Sequence, residues 1–327
     1  MGIQDTLGLV LLLGGEAVAT LARRARRGPR RPGWTVRTEL AQSLMRAVLL
    51  RSKRRGVPWL RAAQGALPVR VALASEVRFE PARLGGVPCE WCIPRERAER
   101  TLLYFHGGGY VIGSVAGYRD VLARLAVGAG ARVLGVEYRL APEHPFPAQQ
   151  EDCLAATRAA IAEGAEPARL ALAGDSAGGA LAVATLCALR DAGERLPAAA
   201  VLLCPWTEPY AEGGSMVSHE PFDFGDRELL AGWAEDTGAP PADPRFTVAN
   251  AKLEGLPPLL VQVGSVEILF DQVRRFVEKA QAAGVAAELQ VFPEMFHDFQ
   301  IQASLLPEGA AALDDAARFL RLRVPAA

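Results

Sequence analysis

Gly174-Asp175-Ser176-Ala177-Gly178-Gly179 lies between an apolar run, Leu170–Ala173, and a helical pattern that begins at Ala177. A strand, a sharp turn and a helix form the context in which a G-x-S-x-G sequence builds a nucleophile elbow. Glycines flank the serine because the turn is too tight for side chains there. The serine hydroxyl then projects above the edge of a sheet, at the positive end of a helix. The stretch predicts a sheet that carries Ser176 as a nucleophile; a turn with a purely structural role is the alternative.

Strands and helices alternate on both sides of this turn. Short apolar runs are typical of buried strands, and helical patterns separate them. This alternation predicts a mostly parallel central sheet with helices on both faces, the α/β class, over residues 66–327. The predicted strands are 102–105, 132–138, 169–173, 199–204, 259–263 and 288–292, and the predicted helices are 118–129, 148–164, 177–192, 271–283 and 310–322.

Residues 207–247 interrupt the alternation. They are rich in Pro, Gly, Glu and Asp, with one helical piece near 226–236. In sheets of this kind ligands bind at the carboxyl ends of the strands. We therefore predict that this insertion and the basic N-terminal arm, residues 1–65, together form a helical cap over the strand ends.

His106-Gly107-Gly108-Gly109-Tyr110 comes directly after the predicted strand 102–105. Its glycines leave backbone N–H groups free to point into open space, and such donors can hold the oxyanion of a tetrahedral intermediate. A flexible glycine turn is the alternative. Phosphate binding is disfavoured, because the chain has neither the P-loop Lys-Ser/Thr nor a G-x-G-x-x-G sequence.

A nucleophilic serine needs a base to accept its proton and an acid to orient that base. The chain has four histidines, and only His219 and His297 follow Ser176, as the order Ser, acid, His requires. His219 lies in the irregular insertion, whereas His297 follows the predicted strand 288–292 by a short loop. We predict His297 as the base, with kcat/KM rising through an apparent pKa near ~6.5, the value of free imidazole.

The acid should follow the preceding strand, 259–263. Glu267 and Asp271 both lie after it, and their positions leave both as candidates. Glu267 is close to the strand end, where a carboxylate stays above the sheet and can reach His297. Asp271 opens an amphipathic helical pattern, where an N-cap is the ordinary role of Asp.

The composition predicts a globular protein, since 50% of the 327 residues are hydrophobic and 22% are charged. The net charge of −1 gives the whole molecule no attraction to nucleic acid. The charge is unevenly distributed: residues 1–61 hold 13 Lys and Arg against three acids, a net of +10, which leaves −11 on the remainder. A basic arm therefore precedes an acidic body.

The apolar run Thr6–Ala22 has three interpretations. Positive charges follow the run instead of preceding it, which is not the layout of a secretory signal peptide. The run contains Glu16 and is shorter than the ~20 residues of a spanning helix. We expect a cap helix packed on the body; peripheral contact with a membrane surface and a transmembrane span are the alternatives, in that order.

The five cysteines are too few and too scattered for a disulfide framework. Cys89 and Cys92 form a C-x-x-C sequence within a predicted short strand, 86–94, and not at a helix start that would activate a redox thiol. No second pair or histidine lies close enough in sequence to suggest zinc. We expect ordinary buried thiols, no bound metal and a cytoplasmic location, with membrane association left open by the N-terminal run.

Three motifs in this order resemble those of the hormone-sensitive-lipase-like (family IV) bacterial esterases, which have the α/β-hydrolase fold. The motifs are His106–Tyr110, Tyr138-Arg139-Leu140-Ala141-Pro142-Glu143 and Gly174–Gly179, and the resemblance runs from about residue 70 to the C-terminus. It implies cleavage of short- to medium-chain acyl esters, a cap built from N-terminal helices, and no cofactor or metal. The implied oxyanion donors are the N–H groups of Gly108, Gly109 and Ala177, with His106, Gly107 and Asp175 as supporting motif residues.

The acid of that family is usually the Asp of a D-x-L segment, and this chain has Glu267-Ile268-Leu269 instead. This resemblance, together with the closeness of Glu267 to the strand end, favours Glu267 over Asp271. A lactonase, an N-deacetylase or a lipase would use the same triad, and a non-catalytic ligand-binding protein of this fold is an alternative of another class. The presence of His297 argues against the latter. The expected partner is a small-molecule ester, and a homodimer stays open.

Overall fold

The computed structural model describes residues 2–326 and contains one eight-stranded sheet. The strands are β1 (Val77–Leu84), β2 (Val87–Pro94), β3 (Arg100–Phe105), β4 (Ala131–Val136), β5 (Leu170–Asp175), β6 (Ala199–Leu203), β7 (Leu259–Gly264) and β8 (Ala287–Phe292). Their order in the sheet is β1-β2-β4-β3-β5-β6-β7-β8. The strands from β3 to β8 pair in parallel, and β1 and β2 add an antiparallel edge. The predicted α/β class is confirmed.

Helices connect the parallel strands and build an additional layer at the N-terminus. They are α1 (Ile3–Arg27), α2 (Val36–Arg55), α3 (Val57–Ala66), α4 (Arg119–Ala129), α5 (Ala148–Ala162), α6 (Ala177–Asp191), α7 (Ser215–Ser218), α8 (Arg227–Asp236), α9 (Phe270–Ala282) and α10 (Pro307–Arg323). The predicted helices between the strands match α4, α5, α6, α9 and α10 to within a few residues. The sequence did not predict β1, which contains Pro81 and lies at the edge of the sheet, where proline is tolerated.

The parallel strands are buried on both faces because their side chains alternate. In β5, Leu170 and Leu172 pack into the layer that includes α5, α6 and α9, whereas Ala171 and Ala173 pack against α4 and α10. A strand covered on both faces needs apolar residues at every position. This explains why the predicted strands appear in the sequence as continuous apolar runs.

Cys89 and Cys92 lie in β2, and three positions apart on a strand they point to opposite faces of the sheet. Both are free thiols, and burial raises the pKa of Cys89 to about 11 and that of Cys92 to about 12. A protonated thiol is a poor nucleophile and a poor metal ligand. The two residues therefore act as small core side chains, as the strand pattern predicted.

The N-terminal helices contact both the insertion and the main body. Gln42 and Arg46 of α2 donate hydrogen bonds to the main-chain carbonyl of Asp223 in the insertion, both at 2.7 Å. Arg61 of α3 forms an ion pair with Glu143 of the body at 2.9 Å. These contacts join the arm to the insertion and to the body; a cap formed by the two over the strand ends stays a prediction.

The first helix, α1, is long and apolar enough over residues Gln4–Arg27 to cross a membrane, by length and composition alone. Buried helices of soluble proteins and N-terminal signal sequences meet the same criterion, so this result is weak support for a span. In the structure α1 packs along α2.

A buried carboxylate holds these two helices together. Glu39 of α2 is fully buried and accepts hydrogen bonds from Arg24 Nη1 at 2.6 Å, from Arg23 Nη2, and from the backbone N–H of Arg30 at 3.2 Å. A buried charge is costly unless it is paired and hydrogen-bonded. Glu39 therefore keeps α1 and the turn that follows it against α2.

We expect Glu39→Ala to detach α1 from α2, because Arg23 and Arg24 lose their shared partner. Breaking a fully buried pair costs about 3–5 kcal/mol, and we expect roughly 2 kcal/mol here because the arginine side chains are 27% and 22% exposed. Urea unfolding should show this loss, and trypsin should cleave faster within residues 23–31. Glu76→Ala, at an exposed glutamate outside the arm, is the control. Equal cleavage of Glu39→Ala and the wild type would contradict this role.

Candidate active site

Ser176 occupies a sharp turn between β5 and α6. Its φ of 50° and ψ of −119° are rare for a residue with a side chain, and such a conformation costs about 1–3 kcal/mol. A Cβ atom on Gly178 would collide with the carbonyl group of Phe105, and one on Gly174 would collide with the backbone of Gly178. The glycines are therefore required by the close approach of β3 to the turn.

Three predicted residues from distant parts of the sequence meet at this turn. His297 Nε2 lies 2.9 Å from Ser176 Oγ, and His297 Nδ1 lies 3.4 Å from Glu267 Oε1. All three side chains are buried. With a proton on Nδ1, the imidazole donates to Glu267 and accepts from the Ser176 hydroxyl, which is the arrangement that a serine nucleophile requires.

Glu267 lies in the short loop between β7 and α9. Its Oε2 accepts the backbone N–H of Gly264 at 2.8 Å, so the carboxylate closes the turn at the end of β7. The loop leaves Oε1 directed at His297. The longer side chain of Glu is accommodated because it folds back over its own turn.

Asp271 lies outside this group, and its predicted N-cap role is wrong. Helix α9 begins at Phe270, one residue before the predicted start, so Asp271 falls inside the first turn. Its Oδ2 accepts the backbone N–H of Ser215 at 2.8 Å, at the beginning of α7. Asp271 therefore ties the insertion to α9, and Glu267 is the carboxylate that meets the imidazole.

The glycine loop after β3 lies beside Ser176. Gly108 has a φ of 108° and Gly109 a φ of 60°, backbone conformations that favour glycine, and both residues line the same cavity as Ser176. Within residues 2–326, the N–H groups of Gly108, Gly109 and Ala177 donate to no protein acceptor. Ala177 is the first residue of α6, where a helix leaves its N–H groups unpaired. These three groups are available to a ligand.

Asp175 connects the glycine loop to the turn. Its buried carboxylate accepts hydrogen bonds from Tyr104 Oη at 2.8 Å, Tyr118 Oη at 2.6 Å and the N–H of Gly107 at 2.9 Å. Burial raises the pKa of Asp175, and these donors oppose that shift. The motif residue before the serine thus positions Gly107 and the two glycines after it.

His106 contacts the start of the glycine loop, where its Nδ1 lies 2.8 Å from the carbonyl oxygen of Gly107. Its ring stacks on Tyr138 with 4.2 Å between centroids, and the Tyr138 hydroxyl donates to the His106 carbonyl at 2.7 Å. Burial lowers the pKa of His106 to about 4. The neutral ring holds the start of the glycine loop against the segment that follows β4.

Asp298 is a site residue that the sequence reasoning missed. Its Oδ2 lies 3.2 Å from His297 Nε2, the nitrogen that also faces Ser176, and its Oδ1 has no partner in the described residues. Burial lowers the pKa of His297, but the carboxylates of Asp298, Glu267 and Asp223 outweigh burial and raise it to about 10. Burial also raises the pKa of Asp298 well above its usual range. An acid directly after the predicted base was the signal that could have identified it.

Asp223, in the insertion, is a second missed residue. Its carboxylate accepts the backbone N–H groups of Ile268 at 2.6 Å, Phe224 at 2.7 Å and His297 at 3.3 Å. It therefore binds the loops that carry both Glu267 and His297. No local pattern marks this residue, because it lies in an irregular segment.

A small cavity of about 60 Å³ opens above Ser176. Apolar side chains from the arm and from the insertion line it: Met45 and Leu49 from α2, and Phe224, Leu229, Leu230 and Trp233 from the insertion. A larger and more open depression of about 380 Å³ lies at Glu208, Tyr210 and Asn250, and none of the residues described above borders it. The chemistry is therefore expected in the smaller cavity.

Cys204, Glu267 and His297 bring three atoms of metal-ligand type within 4.8 Å of one another. Burial raises the pKa of the Cys204 thiol well above its usual range, so it is protonated. Both nitrogens of His297 already face Glu267 and Ser176. These side chains therefore fit an acid–base arrangement better than a metal site.

Residues 102–301 match a family model described as the alpha/beta hydrolase fold. An acetyl-hydrolase of Streptomyces hygroscopicus is 44% identical, over 73% of this chain and 81% of the relative. An esterase of Acinetobacter venetianus is 33% identical, over 74% of this chain and 82% of the relative. The crystal structure of an esterase from the bacterial hormone-sensitive lipase family is similar with a TM-score of 0.77 and 39% identity, and the match covers 95% of this chain and 99% of the other. The chain therefore belongs to the α/β-hydrolase family, within its hormone-sensitive-lipase-like group of esterases.

Proposed function

We propose that this carboxylic ester hydrolase cleaves esters of short acyl groups, with Ser176 as nucleophile, His297 as base and Glu267 as the acid that orients the base. One observation carries the proposal: two consecutive contacts connect the three side chains. Ser176 Oγ lies 2.9 Å from His297 Nε2, and His297 Nδ1 lies 3.4 Å from Glu267 Oε1. These contacts reach a cavity that Gly108 and Gly109 also border. Such an arrangement supports acyl transfer through a covalent intermediate.

In the first step the Ser176 hydroxyl attacks the ester carbonyl carbon while its proton passes to His297 Nε2. The carbonyl oxygen becomes an oxyanion, which the N–H groups of Gly108, Gly109 and Ala177 can bind. The C–O bond to the alcohol then breaks, and the alcohol leaves with the proton from Nε2. The acyl group remains on Ser176 as an ester.

In the second step water replaces the alcohol. His297 Nε2 accepts a proton from water as its oxygen attacks the acyl carbon, and the oxyanion forms again beside the same N–H groups. The bond to Ser176 Oγ breaks, and the serine recovers its proton from His297. The carboxylic acid leaves. Throughout, Glu267 accepts the Nδ1–H of His297, which fixes the tautomer of the neutral ring and stabilises the imidazolium when Nε2 is protonated.

The size of the cavity supports short acyl groups. Its volume of about 60 Å³ is lined by large side chains, and Trp233 lies against Gly109 so closely that a Cβ there would collide with the indole. Phe224 lies 5.5 Å from His297, centroid to centroid, on another side. A relative at 44% identity is named an acetyl-hydrolase. We therefore place the preferred acyl group at the short end of the short- to medium-chain range.

We place the protein in the cytoplasm because all five of its cysteines are free thiols. Disulfides form and persist in oxidising compartments, whereas thiols remain reduced in the cytosol. Four of these cysteines are buried in the core. Membrane association does not depend on the cysteines and concerns the surface of α1.

Purified protein should hydrolyse p-nitrophenyl acetate and butyrate faster than octanoate, and palmitate slowest of all, because the small cavity favours short acyl chains. Ser176→Ala should lower kcat by about 10⁶-fold, as expected when a nucleophile is lost. The exposed Ser218→Ala is the matched control and should keep full activity. Parallel assays with lactones, acetylated amines and triacylglycerols test the other substrate classes for this triad. More than a few per cent of activity in a folded Ser176→Ala variant would refute the mechanism.

Glu267→Gln and Asp271→Ala should differ in kind. The first should keep the fold and lower kcat by about 10⁴-fold, because the imidazole loses the group that fixes its tautomer. Asp271→Ala should lower the free energy of unfolding by about 1 kcal/mol, which is the net contribution of a hydrogen bond such as the one that Asp271 accepts from Ser215. Its kcat should change only a few-fold. A dead but folded Asp271→Ala beside an active Glu267→Gln would reverse the assignment.

The carboxylates around His297 should shift the pH dependence of kcat/KM to higher pH. The imidazole must be neutral to act as base, so a raised pKa shifts the rising limb of kcat/KM to higher pH than the ~6.5 of free imidazole. Asp298→Asn removes the carboxylate nearest Nε2 and should move this limb back toward neutral pH. Asp314→Asn, at an exposed position, serves as the control. A wild-type limb near 6.5 that Asp298→Asn leaves in place would contradict this role for Asp298.

A further inference from the structure

The outward face of α1 is apolar over most of its length. Leu7, Val10, Leu11, Val18 and Leu21 recur at the three- and four-residue spacing that places them on one side of a helix. Their exposed fractions range from 45% to 68%. We call these five residues the apolar stripe. Single exposed leucines are ordinary on a protein surface, but a continuous row on one helix face marks an interaction site.

Three polar residues of α1, Thr20, Arg23 and Arg24, face the protein. Thr20 is buried and its hydroxyl contacts Ser43 of α2 at 2.9 Å. Arg23 and Arg24 bind the buried Glu39. Helix α1 therefore packs on the protein through polar contacts as well as through Leu9 and Leu13, and it leaves a row of apolar side chains exposed, whereas an ordinary surface helix buries its apolar face.

Unpaired positive charges accompany the stripe. Five exposed arginines of the arm form neither an ion pair nor a side-chain hydrogen bond with any residue in the range 2–326: Arg26, Arg27, Arg37, Arg51 and Arg54. Two of them, Arg26 and Arg27, end the same helix that bears the stripe. An apolar surface with unpaired guanidinium groups complements a layer of anionic headgroups above hydrocarbon.

We propose that the apolar stripe of α1 docks the protein on the surface of an anionic lipid bilayer, with the helix lying in the plane of the interface. The stripe would enter the boundary between headgroups and acyl chains, and the arginines would contact lipid phosphates. This proposal does not depend on the esterase function proposed above.

Two other occupants fit the charges less well. A second copy of the chain would bring another arm with a net charge of +10 to the same interface, so the like charges would repel. A transmembrane span would carry Glu16, Arg23 and Arg24 into the bilayer and break the contacts of Glu39. Docking on the surface leaves the inward polar contacts of α1 intact.

The test is flotation of the full-length protein with vesicles. Binding is expected to vesicles of phosphatidylglycerol and phosphatidylcholine in equal parts, to weaken as salt increases, and to be slight with phosphatidylcholine alone. The double variant Leu11→Glu, Val18→Glu should abolish binding. Arg26→Gln and Arg27→Gln should each weaken it about fivefold at low salt.

Leu322→Glu is the matched control, because Leu322 is a 77% exposed leucine at the end of α10. It should bind vesicles like the wild type, and all variants should keep their activity on a soluble ester. Three results would overturn the proposal: no binding to anionic vesicles at low salt, binding that resists carbonate extraction as a spanning helix does, or a solution dimer that Leu11→Glu, Val18→Glu dissociates without any vesicle binding.

Discussion

The strained backbone at Ser176 is held by the two strands that flank β5. On one side, the N–H of Ser176 donates to the Leu203 carbonyl and its own carbonyl accepts the N–H of Trp206, both at 2.9 Å. On the other side, the backbone at Gly178 packs directly on Phe105 at the end of β3. The unfavourable φ is maintained because both neighbours determine the position of the turn. The glycine loop leaves β3 at the same point, so the serine and the N–H groups beside it are positioned by one packing arrangement.

Four buried carboxylates surround this turn, and they differ in how well their charge is compensated. Asp175 and Asp223 each accept three hydrogen bonds, and Glu267 accepts the N–H of Gly264. Asp298 has one oxygen without a partner in the described residues and directs the other at His297. A buried carboxylate with few hydrogen bonds is stabilised by a bound proton or by a neighbouring cation. The imidazole of His297 and the carboxylate of Asp298 therefore bind a proton more strongly together than either would alone.

The arm and the insertion both contact the loops around Glu267 and His297. Asp223 of the insertion binds the loops that carry Glu267 and His297. On the outer side, the indole N–H of Trp34 in the arm donates to the carbonyl of Glu294 at 2.6 Å, three residues before His297. The arm and the insertion therefore both constrain the position of the imidazole. A displacement of either would change the geometry of the site as well as its access to solvent.

The sequence by itself determined the parallel sheet and the turn at Ser176, and it predicted His297 as the base, because these depend on local periodicity, a short motif and the order of few candidates. The choice between Glu267 and Asp271 also needed a resemblance, since both follow the same strand. Only the tertiary structure decided the roles of Asp223, Asp298 and Asp271 and the outward direction of the stripe on α1. Asp223 and His297 are 74 residues apart, and their contact depends on how the insertion packs on the sheet. A local sequence pattern indicates which face of a helix or strand is apolar. Which residues that face contacts depends on how distant elements pack together.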